Sequence, residues 1–461
     1  MSKHKLMRFF VGAILLLVAV SISAQDTTRI TFWSTEFQPE RVERQQAIID
    51  RFEEANPNVE VTLVVFDEST LPQMMTMNVA ANTAPDVVLH PLQLTGRWYD
   101  QGLLDADFAT EIIQSLGEET FSQGALALVS TGDGRYAAIP SDGWGQLLVY
   151  RKDLFDANGL AAPDSYENIL AAAEALHDPE NGFYGFLGPN AVDQVYTWQV
   201  LEHLALANGA TFVDAEGNIT VDTPEFIEAL EFYDTLMTNY GPPEFGWYWL
   251  QTRAEYFAGN GAMVIWSPFI LDEMAGLRED ALPSCDECQE DLAYLARNSG
   301  FVSAISGYGD NPPAAWGSIN SLGVAPGAAP EAQAFVEFWM TEAYVDGLGI
   351  AAEGKFPMRR GTAEDPNAFV EGWGALEVGV DRRAPLSDFF SEEALGTIIQ
   401  GADGYSRMGY DVGQQVLASA IGSQFFIQEA VAAMLNDDLT AEEAALEIQF
   451  AVEDVQAELM E

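Results

Sequence analysis

Four short stretches place a tryptophan beside hydroxyl, amide or carboxylate side chains. They are Trp33-Ser34-Thr35-Glu36, Trp144-Gly145-Gln146, Trp266-Ser267 and Trp316-Gly317-Ser318. His90, Pro91 and Gln93 form a fifth group at the end of DVVLH. An aromatic plane attracts an apolar face, and the neighbouring side chains offer hydrogen bonds to a polar rim. Sugar rings carry both kinds of surface, so these residue types together suit sugar recognition. Each group adjoins an apolar, β-rich run, and open α/β sheets bind ligands beyond the carboxyl ends of their strands. His90 has two readings, a ligand contact or a strand-end histidine bonded internally. Trp98, Trp339 and Trp373 read as core, and Trp247 and Trp249 in FGWYW stay undecided.

The positioning elements are legible as alternating patterns. RITFW (29–33), VEVTLVVF (59–66), DVVLH (86–90), AMVIW (262–266), FVSAI (301–305) and SLGVA (321–325) predict strands. Between them run helical periodicities, such as ERVERQQAIIDRFEEANP stopped by Pro57, and EFIEALEFYDTLMTNYG closed at Gly241. Asp164 with Glu167, and Thr440 with Glu443, have capping-box spacing. The alternation predicts an α/β fold, and 461 residues exceed what one core holds. In IPSDGWGQLLVY, the glycines around Trp144 predict a bending point where the chain passes into the next sheet.

Composition excludes several partners. The formal net charge is −51, from 71 acidic and 20 basic residues, so nucleic acid is no partner. An acidic, lysine-poor surface predicts adaptation to high salt, where self-repulsion is screened. Residues 1–24 read as a cleaved secretory signal: Lys3, Lys5 and Arg8, then the apolar run Phe9 to Val20, then small residues to Ala24. A periplasmic or extracellular location follows, and there the lone CxxC pair, Cys285 and Cys288, favours a local disulfide over redox or zinc chemistry. No GxSxG, HExxH, P-loop or DxDxDG spacing occurs, and neither metal nor cofactor is expected.

The order of five segments carries a resemblance. RFEEANPNVEV (51–61), APDVVLHPLQLTGRWYDQGLL (84–104), IPSDGWGQLLVYRKDLFDANGLAAPDSYEN (139–168), FAGNGAMVIWSPFILDEM (257–274) and GKFPMRRG (354–361) follow one another as in one known family. The chain resembles the extracellular solute-binding proteins of carbohydrate ABC importers, the maltose-binding-protein-like family. The resemblance implies two α/β lobes of periplasmic-binding-protein type, joined by three hinge crossings, with a ligand cleft between them. It implies one lobe at 25–141 plus 305–345 and the other at 142–304 plus 346–461. By the family's register, Asp193, Gln194, Trp198, Phe269, Gln424 and Phe425 should also face the cleft, and Arg359 could reach a ligand hydroxyl or carboxylate. It further implies a non-catalytic, monomeric protein that hands a sugar, expected to be a neutral oligosaccharide, to membrane permease subunits. A polyol, an acidic sugar or a peptide is the alternative solute, and a secreted glycoside hydrolase the alternative activity. The chain departs from the family in its 275–300 insertion, and the charged ligand contacts of the type member are expected to be largely missing.

Overall fold

The computed structural model describes residues 27–460, so the expected signal segment lies outside the described residues. Two sheets organise the chain. The larger has the order β2-β1-β3-β8-β4-β9, with β1 Thr28–Ser34, β2 Val59–Val65, β3 Val87–Pro91, β4 Ile139–Gly145, β8 Ala315–Val324 and β9 Phe356–Pro357. β1 is parallel to β2 and β3, as short helical crossovers require. β8 enters antiparallel between β3 and β4. The smaller sheet is antiparallel, with β5 Leu147–Arg151 between β6 Met263–Trp266 and β7 Ser299–Val302. Helices pack around both sheets to give the two-lobed α/β architecture expected of the resemblance.

The junction between the sheets is a single residue. β4 ends at Gly145, β5 begins at Leu147, and Gln146 stands between them. Gly143-Trp144-Gly145 is not a loose bend, as the sequence suggested, but extended strand paired with Ile319, Ser318 and Gly317 of β8. The glycines answer a steric demand. A Cβ on Gly143 would lie 2.7 Å from the Ser318 carbonyl oxygen, and one on Gly145 would lie 2.5 Å from the Tyr405 ring.

Three boundaries differ from expectation. β9 lies beyond residue 345 yet pairs with β4, and the Ala368–Gly374 helix packs on it. The chain returns to the smaller sheet's side from about residue 381, where the Asp381 and Arg382 amides donate to the Leu277 carbonyl, and the Glu392–Gln400 helix then packs on β7. Trp316-Gly317-Ser318 lie inside β8 rather than before it, because that strand begins at Ala315. Ser165, not Asp164, caps the Tyr166–Leu176 helix, its Oγ accepting from the Asn168 amide. The Thr440–Glu443 box forms in both directions, at 2.9 and 3.2 Å. Cys285 and Cys288 are joined by a disulfide beside the Trp249–Phe257 helix, where the Ser284 and Cys285 amides donate to the Phe257 carbonyl. No single described helix is long and apolar enough to cross a membrane.

Candidate functional site

A cleft opens where the two sheets meet at Trp144. It has two communicating compartments of about 630 and 300 Å³, which share Trp144, Val195, Gln199 and Phe269. Such volumes suit small-molecule ligands.

The smaller compartment is aromatic. Trp144 from β4, Trp266 at the end of β6, Phe269 and Trp249 line it together with Tyr196. Tyr196 meets Trp266 edge-on at 5.3 Å between ring centres, and Trp249 tilts against Trp266 at 6.2 Å. Gln146, Gln194, Gln199 and Ser267 supply hydrogen-bonding groups to the same walls. The Gln146 Oε1 atom is buried without a partner, which leaves an acceptor at the sheet junction. Arg253 pairs with Glu273 at 2.5 Å and lies over the Trp249 ring at 5.4 Å. Burial pushes the Glu273 carboxyl up to about 7 against the pull of Arg253 and Arg278.

The larger compartment is polar and charged. Lys355 is buried and bridges Glu36 Oε1 at 2.7 Å and Asp142 Oδ1 at 2.9 Å. Arg41 holds the other Glu36 oxygen at 2.7 Å, and Asn320 donates to Asp142 at 2.9 Å. Burial raises the Glu36 carboxyl, but Lys355 and Arg41 together outweigh it and hold the group at about 2. Glu68 is pushed up by burial and then by the neighbouring Glu36 and Asp67. Gln93, at the start of the Leu92–Asp100 helix, reaches toward Glu68 at 3.5 Å. Trp198, Trp316, Arg407 and Tyr410 also line the space.

Among the residues expected from sequence, Glu36, Gln93, Trp144, Gln146, Gln194, Trp198, Trp266, Ser267, Phe269, Trp316 and Ser318 line the cleft. The rest do not. β1 runs through Ser34, so Trp33 is an in-strand residue on the face opposite Phe32. It packs with Leu71, Met75, Val88 and Trp98. Ser34 is fully buried, its Oγ accepting from the Glu36 amide at 3.1 Å. β3 likewise includes His90, whose ring is buried against Trp98, with Nδ1 3.1 Å from the Pro91 carbonyl. Burial lowers its pKa to about 4. Gly317 gives its space to Tyr405, whose ring lies 2.1 Å from where a Cβ would be. Arg359 is spent on structure, donating to Thr120 Oγ1 and the Met340 and Leu116 carbonyls at 3.0, 2.6 and 2.8 Å. Asp193, Gln424 and Phe425 are exposed and outside the cleft lining.

The cleft lining also carries charged residues that the sequence did not single out: Arg41, Asp67, Glu68, Arg253, Lys355 and Arg407. None has a local motif. Lys355 had one signal: it is one of only four lysines in the sequence. Among the described residues no cluster of three or more His, Cys, Asp or Glu side chains is arranged to hold a metal ion.

Comparison with known proteins agrees with this architecture. The chain is 32% identical over 244 residues to the "Putative ABC transporter periplasmic-binding protein YcjN" of Escherichia coli (strain K12), covering 52% of this chain and 56% of that one. It is 26% identical over 210 residues to a mannitol-binding protein of Pseudomonas aeruginosa, covering 43% and 46%. The chain thus spans about half the length of the curated relatives it matches. The fold is similar to that of the cyclic α-maltosyl-1,6-maltose binding protein of Arthrobacter globiformis, with TM-score 0.67, 17% identity, and coverage of 93% and 99%. It is also similar to a solute-binding protein of Agrobacterium vitis with bound D-mannitol, with TM-score 0.59, 19% identity, and coverage of 94% and 99%. Residues 39–346 match the model of one family, and the chain belongs to it: the bacterial extracellular solute-binding proteins.

Proposed function

We propose that this protein is the non-catalytic solute-binding component of an ABC import system, and that it takes a neutral sugar, best an oligosaccharide, into the cleft. The observation that carries this reading is the continuous cleft between two sheets, walled by aromatic planes from both. Trp144 and Trp316 come from the larger sheet, and Trp266, Phe269 and Trp249 from the side of the smaller one. A ligand touching both walls favours the closed arrangement of the lobes, so binding is a shift of population toward closure. Two compartments offer room for more than one ring.

Charge balance argues for a neutral ligand. The bases lining the cleft, Arg41, Arg253, Lys355 and Arg407, leave no positive surplus, because they face the lining acids Glu36, Asp67, Glu68 and Glu273 and the buried Asp142 and Glu202 as well. An anionic solute would need surplus positive charge. A polyol is the second reading, favoured by the mannitol-binding relative and the mannitol-bound structure. A polyol has no ring face to lay on tryptophan, so the two readings separate by their dependence on Trp144. Delivery to permease subunits, a secreted location and a monomeric state belong to the same proposal.

Mass spectrometry of ligand released from the purified protein, followed by calorimetry with the identified compound, tests the reading. A bound neutral saccharide is expected. A peptide, an anion or turnover of the sugar would overturn it.

A further inference from the structure

One wall of the larger compartment is built around a guanidinium. Arg407 follows the short Tyr405–Ser406 strand, which pairs with β8. Its Cζ lies 4.3 Å from the centre of the Trp316 ring, and Trp316 meets Trp144 at 5.0 Å with planes tilted by 48°. Arginine over a tryptophan face is attracted by the ring quadrupole and held flat.

The guanidinium also lies over the Tyr410 ring at 5.7 Å, and its hydrogen bonds to protein come from one edge only. Its Nε donates to both Glu202 oxygens at 3.0 Å. Glu202 is 1% exposed, and it also accepts from Trp316 Nε1 at 2.6 Å and from the Met408 amide at 3.0 Å. One carboxylate therefore fixes the indole, the guanidinium and the backbone that carries it. Neither Nη of Arg407 has a protein partner among the described residues, yet Arg407 lines the cavity. The Nη edge of a guanidinium presents parallel N–H groups, spaced to meet two neighbouring oxygens. Because Glu202 already balances the charge, a second carboxylate there would leave surplus negative charge in a chain of net −51.

We propose that Arg407 is the specificity-determining residue of the cleft, reading a pair of adjacent uncharged oxygens, a vicinal diol, on the ligand, and that Glu202 is its positioning residue. This rests on the reading of the cleft as a sugar or polyol site. Tryptophan walls grip any sugar ring, whereas a fixed fork distinguishes one arrangement of hydroxyls from another.

The test begins with calorimetry of the wild-type chain against maltose, maltotetraose, D-mannitol and ribitol, then against deoxy analogues of the tightest binder. Arg407→Lys is expected to weaken the parent ligand about tenfold to a hundredfold, the scale of charged hydrogen bonds. It should leave unchanged the affinity for the analogue lacking the oxygens that Arg407 reads. Glu202→Gln frees the Arg407 charge and is expected to favour the acidic counterpart of the ligand, its uronic or aldonic acid, over the parent. A purely structural role would weaken both alike. Circular dichroism checks that each variant folds, and if Glu202→Gln does not, the Arg407→Lys comparison decides. Equal weakening of the parent and every deoxy analogue by Arg407→Lys overturns the inference alone. Absence of any binder in the panel overturns the sugar or polyol reading together with it.

Discussion

The Lys355 ammonium lies 2.7 Å from Glu36 Oε1, and the pair joins the loop after β1 to the edge of β9 inside the cleft. Lys355 is 3% exposed and also meets Asp142, so one cation neutralises two buried carboxylates. Removing it by Lys355→Met leaves both without their shared partner, with Arg41 alone still holding Glu36. The expected destabilisation is about 3–5 kcal/mol, read as a shift in the urea midpoint.

The same pair has a pH signature. The Glu36 carboxyl is held at about 2, below its ordinary 4.5. A depressed carboxylate adds stability that is full above its unfolded pKa and is lost as pH falls through the folded one. Stability should therefore decline between about pH 4.5 and about pH 2, and Glu36→Gln should remove this part of the decline. Parallel acid limbs for the two proteins in denaturant titrations would contradict it.

His90 titrates in a different window. Burial sets its pKa at about 4 against an ordinary 6.5, so the native state binds fewer protons than the unfolded chain between those values. Stability present above pH 6.5 should fall as pH drops toward 4. His203, also buried and lowered to about 4, adds to the fall. His90→Phe keeps a ring against Trp98 and cannot titrate. Its midpoint should drop less than that of the wild type over this range.

Trp144 is half-buried and shared by both compartments. Trp144→Ala should weaken binding of a ring sugar by ~1–3 kcal/mol, the scale of one lost aromatic contact. Calorimetry measures it, and an unchanged dissociation constant would remove Trp144 from the site.

The net charge of −51 predicts a salt requirement. Raising salt from about 0.1 M to about 1 M shortens the screening length from about 10 Å to about 3 Å. The thermal midpoint followed by circular dichroism should rise over that range. Full stability in dilute buffer would refute salt adaptation.

Much of this architecture was legible because it is periodic. β1, β2, β3 and β6 announce themselves as β-branched and aromatic runs, and the Thr440 cap by its spacing to Glu443. Strand ends were less legible. Trp33 and His90 were each read as just beyond or at the end of a strand, and one further residue of pairing puts both side chains into packed interior. The charged network was not legible at all. Glu36, Asp142 and Lys355 come from three distant segments, and nothing local to any of them reports the other two. Arg407 and Glu202 are likewise 205 positions apart.

The glycines on either side of Trp144 divide the chain into places that can and cannot vary. Any side chain at 143 or 145 collides with the β8 backbone or with Tyr405, whereas position 144 projects into open cleft. Lineages descending from this chain can exchange that one residue without a backbone clash, while its neighbours stay frozen. Grip on a ring can thus be tuned by a single codon, without disturbing the strand that carries it.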